Sequence, residues 1–184
     1  MDQTVTPPPA AAIGYSAFPL VQTAWVVDDL DQAMKSWLAL GIGPFFRFDL
    51  EVPDALYRGR RVPLAFSIAL AQAGPCQLEL IRQNSEGPSA YRDGVPAGQS
   101  GFHHVCRAFG GFDEGMRSLG VTVDGAATYM EIAGSRTAYV DMRATHGCMI
   151  ELVDRTPVSD LLSKTVAEAA GGWDGSDPIR AFAL

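Results

Sequence analysis

With 184 residues, 47% of them hydrophobic, the chain has enough apolar content for one compact core, or for two small modules sharing one. A formal net charge of −7, with lysines and arginines scattered rather than massed, excludes a nucleic-acid or anionic-membrane surface and leaves small molecules as the expected partners. No apolar run reaches the roughly 20 residues of a spanning helix, and the start lacks the basic-then-apolar order of a secretory signal, so the expected location is the cytoplasm.

Residues 1–17, with Pro7-Pro8-Pro9 followed by Ala10-Ala11-Ala12, show no periodicity and are expected to form a flexible N-terminal arm. A strand is predicted over 19–27, rich in β-branched and aromatic residues. Asp28 or Asp29 then caps a helix that runs to about Leu40 and stops at Gly41. Strands follow over 44–52 and 62–71, joined by a polar hairpin around Arg58-Gly59-Arg60-Arg61, and the strand 76–82 completes a first module, 18–83. Residues 84–100 carry Gly, Pro, Ser and Asp and read as a linker with one helical turn near 89–92.

The second module, 101–154, repeats the order: strand 102–108, helix 112–119 ending at Gly120, then strands 121–129, 135–141 and 148–154. Both halves are therefore βαβββ. The C-terminal segment, 155–184, contributes a helix over 160–170 and a tail in which Trp173, Phe182 and Leu184 can dock on the body or on a partner subunit. Cys76, Cys106 and Cys148 all sit in apolar strand-like runs, as reduced buried thiols do.

One phrase occurs twice: Cys76-Gln77-Leu78-Glu79-Leu80-Ile81 and Cys148-Met149-Ile150-Glu151-Leu152-Val153. Each sets a glutamate in an apolar strand, where an ionised carboxylate needs a compensating partner. By strand alternation Glu79 shares a face with Gln77 and Ile81, and Glu151 shares one with Met149 and Val153, as in a cavity wall. The opening strand of each half also holds a ligand-type side chain, Gln22 and His104. If the two modules curl into one concave sheet, Gln22, Glu79, His104 and Glu151 can meet at a divalent cation that offsets both acids. His103 alternates away from His104 and is expected to pack or hydrogen-bond on the outer face. His146 reads as a capping or surface residue, Trp25, Tyr129 and Tyr139 as core aromatics by default ahead of cavity-lining ones, and Arg58, Arg60 and Arg61 as a solvated turn ahead of a contact to coenzyme A phosphates.

These motifs resemble the vicinal oxygen chelate superfamily, also called the glyoxalase/bleomycin-resistance fold. The resemblance covers about 19–154 and is carried by Gln22 seven residues before Asp29, by Gly101-Phe102-His103-His104-Val105, and by Gly147-Cys148-Met149-Ile150-Glu151-Leu152. It implies an α+β fold of two tandem βαβββ modules forming a concave, partly closed mixed sheet around a central cavity. It also implies one divalent metal ion (Zn, Ni, Co, Mn or Mg) on Gln22, Glu79, His104 and Glu151, with the ligand role on His104 rather than His103. The middle motif is similar to that of methylmalonyl-CoA epimerases, whereas the Gln, Glu, His, Glu set resembles that of zinc glyoxalase I. Unlike the epimerases, the chain has no acid in Leu64-Ala65-Phe66-Ser67-Ile68-Ala69 to serve as a second base.

The implied activity is that of an isomerase, epimerase or glyoxalase-type lyase abstracting a proton next to a carbonyl, with Glu151 as first choice of base and Glu79 on the opposite face. The implied substrate is a small carbonyl compound or acyl thioester, and the implied assembly a homodimer. A non-catalytic protein that sequesters a small molecule on the same fold is the alternative.

Overall fold

The computed structural model describes residues 19–108 and 111–182; the expected arm, 1–17, and Leu184 lie outside the described residues. The first half runs β1 (Leu20–Val26), α1 (Leu30–Leu38), β2 (Phe45–Tyr57), β3 (Arg60–Ala73) and β4 (Cys76–Gln83). A short α2 (Ala90–Gly94) lies in the crossing segment. The second half runs β5 (Gly101–Arg107), α3 (Phe112–Leu119), β6 (Thr128–Ile132), β7 (Ser135–Asp141), α4 (Arg143–His146) and β8 (Met149–Val153), followed by α5 (Pro157–Ala170) and β9 (Ile179–Ala181).

Strands lie in the order β3-β4-β1-β5-β8-β7-β6-β2, and β2 pairs with β3 as well, so eight strands close on themselves around an interior. The halves join where β1 and β5 run antiparallel at the middle of this order, and again where Leu56 and Tyr57 of β2 meet Tyr129 and Thr128 of β6. Within each half the first strand pairs in parallel with the last, β1 with β4 and β5 with β8. That arrangement carries the two glutamate phrases to either side of the β1–β5 pair.

Local chemistry explains the element ends. Asp29 caps α1 by accepting from the Gln32 backbone N–H, and Leu30 and Met34 turn inward against Phe45, Leu78 and Leu80. Arg58 and Gly59, both at positive φ (47° and 75°), form the two-residue turn between β2 and β3, as the right-handed twist of a tight hairpin demands. In α3, Phe112 and Met116 pack on Ala138, Val140 and Leu152.

Two boundaries differ from the expected ones. The predicted strand 121–129 is replaced over Val123–Gly125 by a single 3-10 turn, closed by the Thr122 hydroxyl on the Gly125 N–H, and β6 starts only at Thr128. Asp124-Gly125 is turn-forming, and local bonds there satisfy the backbone that a strand would have paired. Helix α5 starts earlier than 160, because Thr156 and Ser159 form a reciprocal cap and Pro157 occupies the first helical position.

The C-terminal segment docks on its own chain. Val166 of α5 is fully buried in the main core, with Leu162 and Ala169 against the same cluster. The Trp173 ring packs on Gly43, β9 adds in parallel to Phe45–Arg47 of β2, and Phe182 lies 6.3 Å from the Phe48 ring. No helix among the described residues is long and apolar enough to cross a membrane.

Candidate metal centre

Four neighbouring strands, β4, β1, β5 and β8, build the site. Ala24 of β1 is the register partner of Glu79 on one side and of His104 on the other, and Cys106, two residues beyond His104, pairs with Glu151. Because Ala24 presents only a methyl group, the glutamate and the imidazole can meet above it. Glu79, His104 and Glu151 are 5%, 0% and 7% exposed, and one donor atom from each lies within 4.8 Å of the others.

The atoms that face one another are His104 Nε2 and a carboxylate oxygen from each acid, 3.3 Å to Glu79 Oε2 and 3.5 Å to Glu151 Oε2. Despite this proximity, Glu79 Oε2 and His104 Nε2 are buried and take part in no hydrogen bond. Three donor atoms aimed at one point without bonding each other is the pattern of a chelating centre. The residues therefore fit a divalent cation.

Electrostatics separates the two acids. Burial, reinforced by the Glu151 charge, raises the proton affinity of Glu79 above that of an ordinary carboxyl. Burial acts on Glu151 in the same direction but is outweighed by the charge of nearby His104 and by the Tyr139 hydroxyl, so this carboxyl is lowered. Burial disfavours the His104 cation, yet Glu151 and Glu79 together push its pKa up to about 9 when no metal is bound.

Several supporting contacts escaped the sequence reading. The Tyr139 hydroxyl donates to Glu151 Oε1 at 2.9 Å, and the Tyr91 hydroxyl lies 3.1 Å from that of Tyr139. Cys106, a thiol that burial raises well above its ordinary value, is the register partner of Glu151. His103 is buried rather than on an outer face: its Nδ1 lies 2.8 Å from His104 Nδ1. The β1–β5 register steps from Ala24–His104 to Trp25–Phe102, leaving His103 as the extra residue of a bulge, which breaks the alternation used to turn it outward. The repeated glutamate phrase carried no signal for any of these.

Gln22 lines the same cavity as the two acids, with its carboxamide nitrogen donating to Gln77 Oε1 at 2.9 Å. Tyr139 lines the cavity too, whereas Trp25 stacks with Trp37 and Phe102, and Tyr129 packs on Phe112. Arg58 is held by Asp93 at 2.7 Å and Asp141 at 3.2 Å, Arg61 by Asp54, and His146 is exposed beside the Thr145 hydroxyl. Arg58 and Arg61 thus serve ion pairs, and none of the three hairpin arginines lines the cavity.

The cavity measures about 840 Å³. Its walls combine the polar group of Gln22, Gln77, Glu79, Tyr139 and Glu151 with apolar side chains such as Phe48, Leu50, Phe66, Ile68 and Met130, and α5 contributes Leu162, Ser163 and Ala167. Such dimensions suit a small organic molecule.

A closed sheet of two βαβββ halves thus carries a buried Glu79–His104–Glu151 cluster able to hold a metal ion, and its two acids line the cavity. Residues 21–139 match the glyoxalase/bleomycin resistance protein/dioxygenase superfamily, and the chain belongs to this family. Among solved structures it is similar to a hypothetical protein of Bacillus halodurans, at 16% identity over 76% of this chain and 96% of that one, with a TM-score of 0.52. It is also similar to methylmalonyl-CoA epimerase from Mycobacterium tuberculosis, at 20% identity over 77% of this chain and 91% of that one, TM-score 0.49. A methylmalonyl-CoA epimerase in complex with methylmalonyl-CoA and NH4+ gives 20% identity over 76% and 95%, TM-score 0.48. At these identities the likeness is one of fold. No curated protein matches the chain.

Proposed function

We propose that this protein is a divalent-metal-dependent isomerase, epimerase or lyase that removes a proton next to a carbonyl group. The observation that carries the reading is the pair of buried, unbonded atoms, Glu79 Oε2 and His104 Nε2, 3.3 Å apart. Glu79, His104 and Glu151 hold the cation, and Gln22 joins them through its carboxamide oxygen, its nitrogen being committed to Gln77. Three oxygens and one imidazole suit Zn, Ni, Co, Mn or Mg. When bound, such a cation polarises a carbonyl oxygen and stabilises the enolate charge.

The chain's own residues divide the remaining work. Glu79, unlike Glu151, is held by no tyrosine hydroxyl among the described residues, so it is the acid freer to leave the cation and we assign it the proton-accepting role. Glu151, first choice from the sequence, is kept ionised by Tyr139 and serves chiefly as an anionic ligand. The apolar side chains of the wall favour a carbonyl compound or acyl thioester with an apolar body. Assembly as a homodimer, expected from the family resemblance, is measured by light scattering on the purified protein.

The test is solvent deuterium incorporation into a panel of acyl-CoA thioesters and α-hydroxycarbonyls. Metal-loaded protein is expected to exchange at least one compound, and both chelation and Glu79→Gln to slow exchange by about a hundredfold or more. Exchange that persists after chelation would refute the metal's role; exchange that persists in Glu79→Gln would return the base role to Glu151. A second reading, sequestration without chemistry, is favoured by the largely apolar wall of the cavity. It predicts tight binding of an apolar compound with no exchange in any.

A further inference from the structure

We propose that His103 is a positioning residue that sets the tautomer of His104, and that the segment crossing between the two halves is thereby part of the metal centre. The inference rests on the metal reading above. It starts from a row of atoms: the Ala90 carbonyl oxygen lies 2.9 Å from His103 Nε2, and His103 Nδ1 lies 2.8 Å from His104 Nδ1. His104 Nε2 then faces Glu79 and Glu151.

A carbonyl oxygen can only accept, so His103 Nε2 carries a hydrogen. A neutral imidazole with hydrogen on Nε2 has a lone pair on Nδ1, and that lone pair requires the hydrogen between the two rings to belong to His104 Nδ1. A neutral His104 with hydrogen on Nδ1 has its remaining lone pair on Nε2, the atom aimed at the two acids. Proton positions are thus dictated from Ala90 outward, and when a cation displaces the proton on His104 Nε2, the hydrogen left on Nδ1 makes Nε2 the ligand atom. Metal-bound histidines commonly donate their second N–H to an oxygen acceptor. Here the acceptor is another imidazole, itself anchored to backbone.

The surroundings hold His103 in this role. It is the bulged residue of β5, 2% exposed, with the Tyr91 and Tyr139 rings edge-on at 5.4 and 5.7 Å. A side chain at Gly94 would place its Cβ 3.0 Å from His103 Cδ2, so the glycine keeps the space that the ring occupies. Ala90 is fixed in turn, its N–H donating to the Thr128 hydroxyl at 2.8 Å and its neighbour Ser89 capping α2. The linker is therefore tied to His104 of the chelating triad through His103.

The test compares cation affinity, by competition with a chromogenic chelator using zinc and nickel, in the unsubstituted protein, His103→Phe and His103→Asn. Both variants remove the bond to Ala90, but the Asn oxygen can accept from His104 Nδ1 and the Phe ring cannot. His103→Phe is expected to lose about ten- to a hundredfold in affinity, and His103→Asn to recover most of it. In parallel, long-range 1H–15N correlation on the cation-loaded unsubstituted protein is expected to place a hydrogen on His104 Nδ1; this readout needs no variant and survives a failure of His103→Phe to fold. Equal affinity of all three proteins, or coordination through His104 Nδ1, would overturn the positioning role. Failure of the unsubstituted protein to bind either cation would overturn the metal reading itself and this inference with it.

Discussion

Tyr139 donates its hydroxyl hydrogen to Glu151 Oε1 at 2.9 Å while accepting from the Tyr91 hydroxyl at 3.1 Å, so a row of two phenols ends on a buried carboxylate. Burial raises both phenols well above their ordinary range, and they remain donors throughout the physiological span. Tyr139→Phe leaves Glu151 short of a donor and Tyr91 without its acceptor, a loss of about 2–3 kcal/mol. Tyr91→Phe removes only the outer bond, worth about 1 kcal/mol. Urea unfolding of both variants at neutral pH measures the difference; equal losses would show that the bond to Glu151 contributes nothing of its own.

The raised proton affinity of His104 gives metal binding a definite pH dependence. Without metal its folded-state pKa is about 9, above the unfolded value of about 6.5, so its ion pairs stabilise the metal-free protein fully below pH 6.5 and this contribution is lost as pH rises through 9. Coordination requires the neutral ring and displaces that proton. Cation affinity is accordingly expected to rise roughly tenfold per pH unit between about 7 and 9 and to level off above. Titrations at several pH values, with denaturation of the metal-free protein over the same range, check both slopes; pH-independent affinity would remove the proton from His104.

Helix α5 forms one wall of the cavity through Leu162, which is not among the proposed ligands. Leu162→Trp adds bulk on that wall and leaves the triad untouched. The expected result is a loss of about tenfold or more in affinity for an apolar fluorescent probe, with cation affinity changed by less than about twofold. A probe that binds the variant unchanged would place its site elsewhere.

The order of strands and helices was legible because each module keeps its hydrophobic period: α1 buries Leu30 and Met34 one turn apart, and β4 buries Leu78 and Leu80 on its core side. The two acids were legible because a carboxylate inside an apolar strand contradicts its surroundings. What failed were features in which a backbone departs from its period or a residue is satisfied from afar. The bulge at His103 has no glycine or proline to announce it, and Thr122 closes a turn where β-branched residues read as strand. The C-terminal tail held its apolar residues without regular spacing, and only Gly43, bare of a side chain, shows why Trp173 docks on its own chain.

By itself, then, the sequence determined the duplicated βαβββ order and the presence of two acids that demand a compensating charge, since local periodicity and the cost of burying a carboxylate act within a few residues. Tertiary structure alone decided which atoms face one another. Register across β4, β1, β5 and β8 aims His104 Nε2 at Glu79 and Glu151, and closure of the sheet brings in Tyr139, Cys106 and the Ala90 carbonyl. Hydrogen-bond direction and ligand convergence depend on contacts between segments tens of residues apart, and only the folded chain supplies them.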